Sequence, residues 1–165
     1  MIVTAWIDPK DLELFNRQRA ALFPADRNYL SAHVTLFHHI PAPVRQDFIS
    51  FCHERYASTH VLSAWVGPPF SLGKGAAYPI KCRPLAEIRG QLRAEFAAHL
   101  TRQDDRPWNK GHITVQNKVS PEEAKRTVHK LSADFTPQDI QVCGLEFFRY
   151  DGGPWMLLEQ LSFVP

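Results

Sequence analysis

Two stretches decide the fold: residues 31–41 read SAHVTLFHHIP, and residues 111–120 read GHITVQNKVS. Both contain a histidine, a β-branched residue and a threonine in the same order, at 33–35 and at 112–114, so the copies lie 79 residues apart. The segments around each copy follow the same predicted order of strands and helices. A repeat of this length usually reports the duplication of a supersecondary unit.

The residue patterns around the two copies predict alternating strands and helices. β-branched and aromatic residues favour a first strand at 2–7, and the Asp-Pro pair after it is typical of a helix start. A stripe of apolar residues predicts the clearest helix at 84–100. Pro79 predicts that the strand at 76–82 lies at a sheet edge, because proline cannot donate to a strand ladder. Further helices are predicted at 44–57 and 120–135, and further strands at 33–40, 60–70, 112–119, 139–150 and 155–164.

The repeat predicts one α+β domain made of two pseudo-symmetric lobes, each with its own sheet. The lobes are expected to span approximately residues 1–73 and 76–150, and a strand at 155–164 closes the chain. The 165 residues are enough for one core, since a chain of this size buries roughly two-thirds of its unfolded surface.

The charge distribution favours a small phosphate ligand over a long polyanion. The whole chain carries a net charge of +2, which is too little for binding along a nucleic-acid duplex. Residues 74–118 alone carry a net +5, whereas residues 1–73 are neutral and residues 119–165 carry −3. The basic middle segment fits a small or terminal phosphate, and a solvated basic face explains it equally well.

The cysteines and the first residues argue against several other classes of protein. Cys52, Cys82 and Cys143 are far apart and lack C-x-x-C spacing, so they indicate neither a disulfide framework nor a zinc ribbon. The apolar run at the N-terminus stops at the Asp-Pro pair, which indicates neither a signal peptide nor a membrane span. We therefore expect a cytoplasmic monomer without membrane contacts.

Each H-x-T triplet presents one imidazole and one hydroxyl on the same side of a strand. Residues i and i+2 of a strand share a face, so His33 lies beside Thr35, and His112 lies beside Thr114. If the lobes face each other, both pairs line one cleft. Two histidines can then act as one base and one acid, and the threonine hydroxyls can donate hydrogen bonds to phosphoryl oxygens. This chemistry suits in-line displacement at phosphorus and requires no metal or other cofactor.

The paired HVT and HIT triplets, together with residues 29–41 and the strand and helix at 76–96, resemble the signatures of the 2H phosphoesterase superfamily. The similarity is to the branch of 2′-5′ RNA ligases and RNA 2′,3′-cyclic phosphodiesterases, and it covers most of the chain. It implies a bilobal α+β fold with two mainly antiparallel sheets, flanked by helices, and a central cleft between the H-x-T strands. It also implies opening of 2′,3′-cyclic phosphates of RNA 3′ ends or small nucleotides, or reversible joining of 2′,5′ ends.

The resemblance also implies a role for each histidine. His112 would activate the attacking water, and His33 would protonate the leaving 3′-oxygen. Many members have a proline before each histidine, where this chain has Ala32 and Gly111. That departure leaves the motif intact and leaves the subfamily and the substrate open.

Other residues are candidates for binding the substrate. Under strict alternation Phe37 shares a face with the first histidine and could stack on a base, and His39 could border the cleft at the strand end. Lys74 lies in a glycine-flanked turn that suits a phosphate. Core packing or a solvated surface explains these residues as well. The further candidates are Tyr78, Lys110, Lys118 and Arg149.

Two other functions stay open at this point. Without chemistry, the same duplicated fold would be a binding module for phosphorylated RNA ends or nucleotides. His33, His38 and His39 would together suggest a zinc hydrolase, although strand alternation turns His38 away from the other two.

Overall fold

A computed structural model describes residues 1–109 and 111–165 of the protein. Within these residues four helices and eight strands follow one another. The helices are α1 Pro9–Leu22, α2 Arg45–Tyr56, α3 Arg83–Glu95 and α4 Pro121–Ala133. The strands are β1 Ile2–Ile7, β2 Val34–Phe37, β3 Leu62–Val66, β4 Phe70–Ser71, β5 Ala76–Lys81, β6 His112–Gln116, β7 Gln138–Arg149 and β8 Met156–Ser162.

The strands form one antiparallel sheet that closes on itself. The order is β1-β2-β6-β5-β3-β7, and β7 pairs again with β1, while β8 adds to β7 and β4 to β5. The predicted α+β class with antiparallel strands and helices is thus confirmed. The expected two sheets are joined at narrow seams, because one residue pair connects β2 to β6 and two pairs connect β3 to β5. The division into lobes at residues 73 and 76 stays a prediction, and β1 pairs with β7 across that division.

Two of the four helices, α1 and α4, begin after residues whose side chains cap the helix. The Asp8 carboxylate accepts a hydrogen bond from the backbone N–H of Lys10 at 2.9 Å, before α1. The Ser120 hydroxyl accepts from the N–H of Glu123 at 3.2 Å, before α4. No helix in the described part of the chain is long and apolar enough to cross a membrane. The apolar stripe of α3 is buried on the sheet at Leu85, Ile88 and Leu92.

The prediction that β5 is an edge strand is wrong. β5 lies between β6 and β3, and Pro79 is the register partner of His112. The Pro79 carbonyl accepts a hydrogen bond of 2.9 Å from the N–H of Gly67, just beyond the end of β3. In an antiparallel pair the N–H and C=O of one residue point to the same neighbouring strand. A backbone N–H at position 79 would therefore point towards Gly67, beyond the end of β3, so proline costs no hydrogen bond within the β3–β5 ladder.

Candidate active site

The two H-x-T triplets, residues 33–35 and 112–114, meet at the seam between β2 and β6. Their central residues, Val34 and Ile113, lie opposite each other in this antiparallel pair, and both side chains are fully buried. The same register sets each histidine beside the threonine of the other triplet. A local two-fold axis through the Val34–Ile113 pair therefore relates the two triplets.

The polar side chains of both triplets line one cleft of about 570 Å³, which we call the reaction cleft. The structure thus brings together His33, Thr35, His112 and Thr114. The opposite wall comes from the segment between α3 and β6 and from the residue after β2. It consists of His38, Gln103, Arg106, Pro107, Trp108 and Asn109.

His33 is held by a backbone carbonyl and an aromatic ring. Its Nδ1 lies 2.7 Å from the carbonyl oxygen of Ser31, and because a carbonyl only accepts, Nδ1 carries the proton of the neutral ring. The ring of Trp155 lies 4.7 Å away, measured between centroids. Burial lowers the pKa of His33 to about 4 although the Ser31 hydrogen bond opposes this, and the charge of Arg19 adds to the decrease. The imidazole is therefore neutral at pH 7 in the free protein, with Nε2 as the acceptor.

His112 occupies the equivalent place on β6 with different neighbours. Its ring lies 6.0 Å from the ring of Phe70 and nearly perpendicular to it, at 87°. On the side of β5 its register partner is Pro79. Each of the two imidazoles thus packs against one aromatic ring, which comes from Trp155 for the first triplet and from Phe70 for the second.

A buried carboxylate, Asp104, fastens the wall segment 101–109 to the end of β2. Its two oxygens accept the backbone N–H groups of His38 and His39 at 2.9 and 2.8 Å, and Nδ1 of His38 lies 3.1 Å from Oδ1. Burial raises the pKa of Asp104, but these hydrogen bonds outweigh burial and hold the pKa below its usual value. The ionised carboxylate is therefore a fixed acceptor that positions the wall.

Arg89 of α3 holds the same wall from the core side. It is 3% exposed, and its guanidinium donates to the backbone carbonyls of Leu36, Asp104 and Arg106. It also lies over the ring of Phe37, 4.6 Å from the centroid. Burial of a cation costs free energy unless hydrogen bonds replace its hydration, and the three backbone carbonyls supply these hydrogen bonds to the guanidinium. Arg89 thereby connects the end of β2 to the wall segment.

Trp108 contacts the first triplet and the residue that precedes the second. Its indole Nε1 donates a hydrogen bond of 3.2 Å to the carbonyl of Thr35. The ring covers Gly111, where a Cβ atom would lie 2.5 Å from the indole. Glycine is therefore required before His112 as long as Trp108 holds this position.

Arg19 of α1 links the first helix to both triplets. It is 5% exposed, and its Nε donates at 2.8 Å both to Asn28 Oδ1 and to the carbonyl of Leu30, just before the first triplet. Its Nη1 donates at 2.9 Å to the carbonyl of Thr114 in the second triplet. A charged residue on the buried face of a helix is the signal that could have indicated this role for Arg19, and Arg89 on the buried face of α3 carries the same signal. Nothing in the sequence singled out Asp104.

Two of the candidates for substrate binding are wrong, because both are buried in the core. Phe37 is 0% exposed and packs edge-to-face on Phe48, with 5.5 Å between centroids. Tyr78 is 3% exposed and packs edge-to-face on Phe15 at 5.3 Å. A ring without an exposed face has no surface on which a base could stack.

Three of the cationic candidates, Lys74, Lys118 and Arg149, lie outside the lining of the reaction cleft. Lys74 and Lys118 are exposed at adjoining turns, where the carbonyl of Lys74 accepts from the N–H of the residue after Lys118. Arg149 forms an ion pair of 2.7 Å with Asp151. Lys110 lies outside the described residues. Among residues 1–109 and 111–165, Arg106 does line the cleft, and its side chain is exposed.

His39 does not line the reaction cleft, whereas His38 does. Asp104 fixes the orientation of both residues, because its carboxylate accepts hydrogen bonds from their backbone N–H groups and lies 3.1 Å from Nδ1 of His38. Across residues 1–109 and 111–165, no three His, Cys, Asp or Glu side chains are grouped so that they could hold a metal ion. The three ligands of the zinc interpretation, His33, His38 and His39, are thus not brought together.

Comparison with known proteins identifies the family. The model of the 2′-5′ RNA ligase superfamily matches residues 7–154, and the chain therefore belongs to this superfamily, whose members are of the 2H phosphoesterase type. No curated protein matches the chain. Among solved structures, TT0787 of Thermus thermophilus superposes with a TM-score of 0.64 over 98% of this chain and 97% of that chain. The two sequences are 14% identical, so this likeness shows the fold alone.

Proposed function

We propose that the protein is a metal-independent phosphoesterase that opens 2′,3′-cyclic phosphates at RNA 3′ ends or in nucleotides. The observation that carries the proposal is the two-fold arrangement of two histidine–threonine pairs in one cleft of about 570 Å³. Membership of the 2′-5′ RNA ligase superfamily supports the same kind of chemistry. Joining of 2′,5′ ends uses the same groups, with a 5′-hydroxyl in place of water as the nucleophile that attacks phosphorus and the 3′-oxygen again as the leaving group.

In the proposed reaction a water oxygen attacks phosphorus while the bond from phosphorus to the 3′-oxygen breaks. One neutral imidazole accepts a proton from the water, and one protonated imidazole gives its proton to the leaving 3′-oxygen. The product carries a 2′-phosphate and a 3′-hydroxyl. The two histidines have then exchanged their protonation states, and proton exchange with solvent restores them.

Hydrogen-bond donors around the cleft stabilise the charge that develops on the phosphoryl oxygens. The hydroxyls of Thr35 and Thr114 lie on the same strand faces as the histidines and each can donate one hydrogen bond. Arg106 lines the opposite wall and adds a positive charge. No metal ion takes part in this scheme.

The surroundings of His33 favour the role of base for this residue. Its Nδ1 donates to the Ser31 carbonyl, and its pKa is lowered to about 4, so Nε2 is unprotonated at pH 7. We therefore assign the activation of water to His33 and the protonation of the leaving oxygen to His112, the opposite of what the family resemblance implies. The dependence of kcat/KM on pH tests this division: it rises through about pH 4 if His33 is the base, and it falls above that pH if His33 is the acid.

Turnover of 2′,3′-cyclic nucleotides in the presence of EDTA tests the proposal. Phosphorus NMR identifies which ester bond breaks. We expect His33→Ala and His112→Ala each to lower kcat by about a thousandfold or more, because each removes one of two coupled proton transfers. Far-ultraviolet circular dichroism verifies that both variants are folded.

His129→Ala is the matched control, because His129 is exposed on α4 and does not line the reaction cleft. It should keep wild-type activity. If either His33→Ala or His112→Ala keeps full activity, the two-histidine mechanism is wrong. Saturable binding of the nucleotide without turnover by the wild-type protein would instead identify a binding module.

A further inference from the structure

A second cavity of about 430 Å³ adjoins the reaction cleft and shares His33 as part of its wall. We call it the aromatic cavity, because rings from four residues line it: Trp6, Tyr29, Phe148 and Trp155. Its volume lies within the range of small-molecule sites, which is roughly 300–1,000 Å³. The acid–base chemistry at the two histidines does not use it.

The floor of the aromatic cavity continues the sheet face that carries the first triplet. Thr4 of β1 is the register partner of Thr35 on one side and of Glu146 on the other. Register partners project to the same face, so a row of polar side chains runs from the reaction cleft to Glu146. Trp6 and Phe148 lie two residues along their strands from this row and therefore share its face.

Trp155 forms the boundary between the two cavities. Its ring lies 4.7 Å from the ring of His33 and 5.6 Å from the ring of Phe148, measured between centroids. A phosphate held beside His33 thus has aromatic surface directly next to it. Aromatic rings of this kind stack on the flat faces of nucleobases.

Glu146 gives the aromatic cavity a carboxylate with acceptor positions to spare. Its Oε2 accepts from the Thr4 hydroxyl at 3.3 Å, and its Oε1 accepts from Gln160 Nε2 at 2.7 Å. Within residues 1–109 and 111–165, Glu146 takes part in none of the ion pairs. A carboxylate offers about four lone-pair sites, so each oxygen keeps a site for a donor from a ligand.

We infer that the aromatic cavity binds the base of the nucleotide whose phosphate lies at the two histidines, and that Glu146 selects guanine. The inference rests on the proposed function. Guanine presents its N1–H and its 2-amino group side by side, which matches the two oxygens of one carboxylate. Adenine and cytosine present an amino group next to an unprotonated ring nitrogen, and uracil presents an N–H between two carbonyls. In each of these three bases a ring nitrogen or carbonyl oxygen would lie opposite a carboxylate oxygen, and two acceptors repel each other.

The test is kcat/KM for the four 2′,3′-cyclic nucleotides with the wild type, Glu146→Gln and Glu159→Gln. We expect the wild type to prefer the guanosine substrate by roughly tenfold to a hundredfold, since a site that hydrogen-bonds one base leaves its polar groups unpaired with another. Glu146→Gln should lose most of this preference. Glu159→Gln is the matched control, because Glu159 on β8 pairs with Phe147 and so projects from the opposite face.

Equal kcat/KM for the four nucleotides, or an unchanged guanosine preference in Glu146→Gln, would overturn the inference while the proposed function stands. Calorimetric titration with guanosine and adenosine 2′-monophosphates separates the two ideas. If no cyclic nucleotide is turned over but guanosine 2′-monophosphate binds more tightly and does so through Glu146, the proposed function fails and the base site stands. If the two monophosphates bind equally in wild type and Glu146→Gln, the base site fails.

Discussion

The two H-x-T triplets share one sequence pattern and lie in different surroundings. The first histidine is half-buried between the Ser31 carbonyl and Trp155, and its pKa is lowered to about 4. The second packs edge-on to Phe70 beside Pro79 of β5. The backbone pairing is symmetric about one residue pair, but the aromatic rings beside the two imidazoles come from unrelated parts of the chain.

The symmetry of the two triplets and the difference in their surroundings come from different parts of the chain. The register of β2 against β6 sets each histidine beside the threonine of the other triplet. The aromatic neighbour of His33, Trp155, belongs to the closing segment, which has no counterpart in the other half. The pairing of β2 with β6 thus places equivalent groups, and the segment that carries Trp155 gives His33 an aromatic neighbour from a different part of the chain.

The largest expected effect comes from removing both histidines together. His33→Gln and His112→Gln should each lower kcat by about a thousandfold or more, and the double variant should be little worse than the more damaged single variant. The effects of substituting two groups that act as a unit are non-additive, because the second proton transfer no longer accelerates the reaction once the first is lost. Single-turnover hydrolysis of a 2′,3′-cyclic nucleotide measures all three rates. Multiplicative losses would mean that the two triplets act independently.

The threonines test whether the two halves contribute equally to charge stabilisation. Thr35→Val and Thr114→Val should each lower kcat by roughly tenfold to a hundredfold with a smaller change in KM, since each loses one donor to a phosphoryl oxygen. Thr→Ser at the same positions keeps the hydroxyl and should keep most of the activity. An increase in KM at constant kcat would instead show uniform binding of substrate and transition state.

The smallest expected effect is on stability. Because the pKa of His33 is about 4 in the folded protein and near 6.5 in the unfolded chain, the unfolded chain takes up the proton first. The contribution of the neutral imidazole to folding is complete above about pH 6.5 and is lost as the pH falls towards about 4. Between pH 7 and pH 5 the wild type should lose about 1–2 kcal/mol more unfolding free energy than His33→Gln.

Urea denaturation at the two pH values measures this difference, and His129→Gln serves as the control at an exposed histidine. The control should follow the wild type. Identical pH dependence of the wild type and His33→Gln would remove the contrast between the two imidazoles and, with it, the physical reason for assigning His33 as the base.

The local residue pattern was sufficient to predict the strands of the two triplets, because the alternation of side chains at i and i+2 and the shared order of residues can be read from short segments of sequence. The prediction from strand alternation that Phe37 shares a face with His33 failed, because the register of β1 against β2 shifts between Thr35 and Phe37. An irregularity of this kind ends the alternation, and Phe37 enters the core.

The positioning residues could not be found from local pattern at all. Arg19 reaches the carbonyl of Thr114, 95 residues away, and Asp104 reaches His38, 66 residues away. Such contacts depend on how the strands and the wall segment pack together in three dimensions. A buried charge whose partners are distant carbonyls leaves no local signature other than its place on an apolar helix face, which held for Arg19 on α1 and Arg89 on α3.

The contact between Trp108 and Gly111 constrains how this site can change over evolution. With the indole 2.5 Å from where a Cβ atom would lie, no side chain can be introduced at position 111 until position 108 changes. A replacement of Trp108 also releases the carbonyl of Thr35 from its indole donor. The residue before the second histidine and the residue that closes the wall are therefore coupled positions, and a chain that acquires proline at 111 must first lose tryptophan at 108.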